Sequence, residues 1–165
     1  MKNYIIDIKW GVYFVIMQLA WMSLEKLLGF HSTNIENHQY FTNLVMIPAI
    51  AIYVFALIDK KKKFYNGNMN YMQGLITGLI ISLVVTMISP ITQYLVSMVI
   101  SPDYFKNMIE YSVSQNLMTQ QEAESYFSLN NYLMQTVIFT PVMGIITSAI
   151  VSFFVKTKIK SDSIW

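Results

Sequence analysis

The residues of this chain whose types could bind a metal ion are His31 and His38, with Glu36 between them. Imidazole nitrogens and a carboxylate suit zinc, but this spacing matches no known ligand motif and three donors fall one short of a closed tetrahedral site. They are read as part of an ordinary polar loop. The run Lys60-Lys61-Lys62-Lys63 could hold anionic lipid headgroups, at roughly 1 kcal/mol per lysine near a membrane surface, or simply determine orientation. Gln18 stands inside an apolar run, where it could hydrogen-bond to a facing helix or touch a substrate. Hydrolysis needs a nucleophile with a base in reach, and no serine occupies a recognisable elbow. Phosphate loops, dinucleotide fingerprints and zinc-binding helix motifs are missing from the sequence. The lack of cysteine excludes disulfides, thiolate sites and cysteine-linked lipid. No catalytic, cofactor-binding or metal-binding residue is therefore assigned, no cofactor is expected, and the chain is expected not to be an enzyme.

The elements that must carry these residues are apolar and long. Of the 165 residues, 55% are hydrophobic and 12% charged, where a water-soluble domain carries about 25% charged residues. The apolar residues fall into four runs, predicting transmembrane helices at about 8–28, 41–58, 71–95 and 132–155 within a single membrane domain, 1–165. About twenty residues at 1.5 Å each match a hydrocarbon layer of roughly 30 Å. The first run lacks a convincing small-residue cleavage site and is expected to be retained. Lys9 and Glu25 lie near its ends, within snorkelling reach of the interface. Pro48 is expected to bend the second span or free a carbonyl for a neighbour, and Pro90 to kink the third and leave 91–100 as an outer segment near or beyond the interface. Asn66-Gly67 reads as a tight turn.

Ser101-Pro102-Asp103 and Thr119-Gln120-Gln121-Glu122 are two helix starts, the second a capping box. They predict a helical hairpin outside the bilayer at about 102–131, and Phe105, Ile109, Tyr126 and Phe127 are its candidate partner surface. The fold class is thus all-α: an integral membrane four-helix bundle with an extracytoplasmic hairpin between helices 3 and 4.

Small residues recur every four positions at Gly74, Gly78, Ser82 and Thr86, and again at Gly144, Ser148 and Ser152. That spacing lets helix backbones approach closely. Packing of the third helix on the fourth is the leading reading, with homodimerisation or a ligand crevice as alternatives.

All eleven basic residues are lysines. Lys2, Lys9, Lys60 to Lys63, Lys156, Lys158 and Lys160 fall on one side of a four-span arrangement, and Lys26 and Lys106 on the other. Lysine is retained preferentially in the cytoplasm, so both termini and the middle loop are expected inside. A net charge of +2 gives no reason to expect nucleic acid.

The order of features resembles the bacterial membrane family known as domain of unknown function 4199. The resemblance rests on Lys9-Trp10-Gly11 entering an apolar helix, on Tyr71-Met72-Gln73-Gly74-Leu75-Ile76-Thr77-Gly78 after a polar turn, on the outer segment following Ser101-Pro102-Asp103-Tyr104-Phe105, and on the last helix through Gly144. The outer segment is less acidic than the family leads one to expect. The resemblance implies four spans in a bacterial cytoplasmic (inner) membrane and brings no activity with it. The expected function is a non-enzymatic structural or interaction component that contacts membrane lipids and a membrane or periplasmic protein. The alternative is a small transporter or channel subunit acting as a homo-oligomer.

Overall fold

The computed structural model describes residues 2–157; Lys158 and Lys160 of the charge argument lie outside the described residues. Seven α-helices and no strand occur among the described residues: α1 (Lys2–Leu27), α2 (His38–Asn43), α3 (Met46–Lys63), α4 (Tyr71–Leu95), α5 (Tyr104–Ser114), α6 (Gln120–Tyr126) and α7 (Leu129–Val155). Four stretches are long and apolar enough to cross a membrane: Tyr4–Leu27, Ile35–Lys63, Tyr71–Ile100 and Leu129–Val155. The long helices pack side by side, with α4 most extensively against α7 and α1 against both α3 and α4.

Pro48 and Pro90 both lie within helices. Pro48 lies in the first turn of α3, where an N–H would have no intrahelical acceptor. The break in the second span comes just before it, at Leu44 and Val45 between α2 and α3. Pro90 does not end the third helix, because α4 continues through it to Leu95 and a π-helical turn at Val96–Ile100 follows. A proline at this position removes the donor for the Thr86 carbonyl, and the Ser89 hydroxyl donates to that carbonyl instead, at 2.8 Å. Neighbouring hydroxyls commonly restore a freed backbone acceptor in this way.

The ends of α4 and α6 are set by local polar chemistry. Asn70 and Gln73 form a reciprocal capping box that starts α4, with both bonds at 2.9 Å. Thr119 and Glu122 do the same for α6. The Asn66-Gly67 turn has positive φ at both residues, 50° and 85°. It returns the chain toward α7, where the Thr157 N–H donates to the Met69 carbonyl at 2.7 Å.

The seam between α4 and α7 is made of small side chains. A Cβ added to Gly78 would collide with Ser148, and one added to Gly144 would collide with Ser82. At Gly74 it would come within 3.0 Å of the Ser152 hydroxyl. Gly11 of α1 meets Val84 of α4 in the same manner, at 2.6 Å. Around this seam the distribution of residue types is inverted relative to a water-soluble protein. Thr77, Ser82, Ser89, Thr92, Ser148 and Ser152 are buried, whereas Phe55, Leu83, Met87, Ile138, Phe139 and Phe154 are exposed. The apolar interior is narrow, formed chiefly by Val15, Tyr53, Ala56, Leu57, Ile81, Val85 and Val151.

Replacing Gly78 or Gly144 by leucine should therefore force α4 and α7 apart. Overpacking costs about 1–3 kcal/mol where neighbours can adjust, and backbone contact leaves less room to adjust. Each variant is expected to melt several degrees below the parent in detergent. Parental melting would mean that the two backbones do not touch.

Candidate functional site

The end of the bundle nearest α5 and α6 holds the most concentrated polar chemistry, and Glu25 is at its centre. Helix α1 stops in a Schellman turn: Gly29 has φ 79°, its N–H donates to Lys26 O, and the Phe30 N–H donates to Glu25 O, both at 3.0 Å. The reversal brings His31 back over the last turn of α1. A 3-10 turn at Ile35–Asn37 then starts α2 with His38 on the same side.

Glu25 is fully buried, and His31 is only 3% exposed. A carboxylate removed from water needs partners for both oxygens. Trp21 Nε1 donates to Oε1 at 2.6 Å, one helical turn away. His31 Nε2 lies 3.1 Å from Oε2, and His38 Nδ1 lies 3.5 Å from the same oxygen. The far nitrogen of each ring is also engaged. His31 Nδ1 is 2.9 Å from Ser101 Oγ, and His38 Nε2 is 3.0 Å from the Tyr104 hydroxyl. Burial, reinforced by Tyr132 and Glu25 close by, pushes the Tyr104 phenol far above its ordinary range, so it keeps its proton. Asn107 adds a bond to the His31 carbonyl at 2.7 Å and ties α5 to the loop.

Several sequence expectations are corrected at this end. Glu25 does not snorkel to the interface; His31, His38 and Trp21 provide the polar surroundings that let it stay inside. Glu36, the carboxylate nearest the histidines in sequence, is exposed and accepts only from Asn37 at 3.4 Å. Ser101 makes no cap for α5, whose N-cap residue is Asp103; the hydroxyl is turned to His31. Of the candidate partner surface, Tyr126 is exposed, Phe105 and Ile109 are half-buried, and Phe127 is buried. Tyr132 in the first turn of α7 packs edge-on against Phe105 at 5.0 Å and approaches Tyr126 and Phe127 at 6.5 Å. The one signal for the buried site was the Trp21-to-Glu25 spacing, which puts an indole N–H beside a carboxylate.

Comparison with known proteins gives one result: a family model described as a protein of unknown function, DUF4199, matches residues 9–157. The chain belongs to the DUF4199 family. The matched region contains Glu25, His31, His38, Ser101 and Tyr104, and Asp7 lies just ahead of it. No curated protein and no solved structure matches.

The opposite end of this DUF4199 chain is also polar. Lys60 Nζ lies 2.7 Å from Asp7 Oδ2, and both side chains are buried. Asp59 accepts from Lys9 at 2.6 Å, Trp10 at 2.9 Å and Lys63 at 2.7 Å. Lys61 donates to the Val155 carbonyl at 2.9 Å, neutralising the negative end of α7. The lysine run is thus divided: Lys62 and Lys63 are exposed, while Lys60 and Lys61 are structural. Between the two polar ends a crevice of about 310 Å³ opens beside α3 and α7, lined by Phe14, Gln18, Tyr53, Met143 and Thr147 among others.

Removing one member of a buried ion pair costs about 3–5 kcal/mol, whereas replacing both by apolar groups is often neutral. Lys60→Met is therefore expected to lower detergent stability strongly, and Asp7→Leu with Lys60→Met to recover most of the loss. Equal melting of parent, single and double variants would mean that the pair contributes nothing.

Proposed function

We propose that the protein is a non-enzymatic component of a bacterial cytoplasmic membrane, crossing it four times and acting through the α5–α6 hairpin on its outer side. The observation that carries this reading is the inverted distribution of side chains. Small hydroxyl residues fill the helix contacts, and many isoleucine, leucine, phenylalanine and methionine side chains face outward. In water such a surface would aggregate; in lipid it is the favourable arrangement. Orientation follows from the lysines. Lys9, Lys60 to Lys63 and Lys156 gather at one end, and Lys26 and Lys106 at the other, which supports a cytoplasmic location for the lysine-rich end and both termini.

The hairpin has the features of a docking surface for a membrane or periplasmic protein. Leu117, Tyr126 and Met134 are exposed and line an open concavity of about 1010 Å³ together with Gln121, Glu122 and Asn131. Interaction sites combine apolar and polar groups in this way. The second reading is a small transporter or channel subunit working as a homo-oligomer, and the crevice that reaches Gln18 favours it.

Two measurements test the proposal. Single cysteines at Asn37 and Ser114 should react with an impermeant thiol reagent in intact cells, and one at Asn66 should not; labelling at Asn66 would reverse the orientation. The corresponding site in the carboxyl tail, Ser163, lies outside the described residues. A photo-crosslinker at Leu117 or Tyr126 should trap a discrete partner from native membranes, and one at Phe127 should not. Crosslinks only between copies of this chain, formed from Met143, would favour the oligomeric transporter.

A further inference from the structure

We propose that Glu25, His31 and His38 form a binding site for a divalent transition-metal ion, zinc being the ion their donor set fits best. Three donors from two segments converge on one point: His31 Nε2 and His38 Nδ1 lie 3.1 Å and 3.5 Å from Glu25 Oε2. Ligands bound to zinc at about 2.0–2.1 Å in a tetrahedron stand roughly 3.4 Å from one another. All three donor atoms lie within 4.8 Å of each other, so at most about 1.5 Å of imidazole movement completes the set.

A second observation separates this cluster from an ordinary buried network. His38 Nδ1 is buried and makes no hydrogen bond, although it faces the carboxylate. Buried polar atoms that remain unbonded are few in folded proteins, and a cation held between this nitrogen and the carboxylate oxygen would give both a partner. The remaining atoms already have the partners that metal ligands require. Ser101 and Tyr104 engage the far ring nitrogens, and Trp21 holds the second carboxylate oxygen. Such outer contacts select the tautomer and orient the ring. With an ion bound, each imidazole would donate its far N–H to a hydroxyl and turn a lone pair inward.

Two nitrogens and one oxygen are a poor set for magnesium or calcium, which take oxygen ligands, and a good one for zinc, nickel or copper. Three protein ligands leave a fourth position for water or an incoming donor. The ion would join the end of α1 to the His31–His38 segment and, through Ser101 and Tyr104, to the start of α5. The inference is independent of what the hairpin docks.

The test uses full-length, tag-free protein in detergent, stripped with a chelator and titrated with Co²⁺ or Zn²⁺ alone. One Co²⁺ per chain should bind with the strong visible absorption of a four-coordinate site and be displaced by Zn²⁺, and Zn²⁺ should raise the melting temperature. Glu25→Gln and His31→Ala are expected to weaken binding by at least about 100-fold. Tyr104→Phe and Ser101→Ala remove only supporting hydroxyls, so they keep the site readable if a ligand variant fails to fold; each should cost about 10–100-fold. Saturation at one ion with these losses supports the site. The absence of saturable binding, or binding by His31→Ala and Tyr104→Phe as tight as the parent's, overturns it and leaves the cluster as a hydrogen-bonded clamp.

Discussion

Gly78 and Ser148 meet where larger side chains would hold α4 and α7 apart, and the position of every other element follows from that approach. In an apolar surrounding, no hydrophobic force draws one helix to another; close packing and polar contacts must supply the attraction. Close approach multiplies weak contacts over the length of two helices, each contact worth only about 0.1–0.2 kcal/mol. Once α4 and α7 are joined, α1 finds a groove on α4 at Gly11, and α3 closes the remaining side through Tyr53, Ala56 and Leu57. Two hydroxyls along the seam are satisfied within their own helix, while those of Ser82 and Ser152 are buried without a hydrogen bond. Ser148 donates to Gly144 O within its own helix at 2.5 Å, and Thr86 donates to Ser82 O at 2.8 Å.

The two ends of the bundle complement this seam by fixing register. At one end Asp7 and Asp59 hold α1 and α3 together through lysines and Trp10. At the other, Glu25 gathers both histidines and, through Ser101 and Tyr104, the start of α5. Sliding α1 along its neighbours would break both sets at once and leave buried charge without compensation, which is far costlier than losing an exposed pair. A seam of small residues alone is smooth and tolerates sliding. Charges at both ends remove that freedom.

Much of the helical framework could be read from the chain because each signal was local. The apolar runs, the Thr119-to-Glu122 capping box, the Asn66-Gly67 turn and the four-residue recurrence of small side chains all lie within a few positions of one another. The candidate site could not be read this way, because its members are brought together only by folding. Ser101 is 70 residues from His31, and Lys60 is 53 from Asp7. Glu25 was assigned to the interface because a charge near a helix end can normally reach water, and the Schellman turn that folds His31 over it is not visible in hydropathy. Glu36 drew attention only by adjacency. The bond from Ser89 to the Thr86 carbonyl beside Pro90 is not legible in the sequence either, because it depends on a rotamer rather than on residue type.

The separation between Asp7 and Lys60 also bears on how the chain is built. The acid is synthesised 53 residues before its base, an interval of roughly 3–10 s at about 5–20 residues per second. On the proposed membrane reading, the carboxylate of α1 is synthesised before the lysine of α3 that needs it, and α1 would serve α3 as an internal escort. The first and second spans would then enter the membrane as a couple rather than in succession.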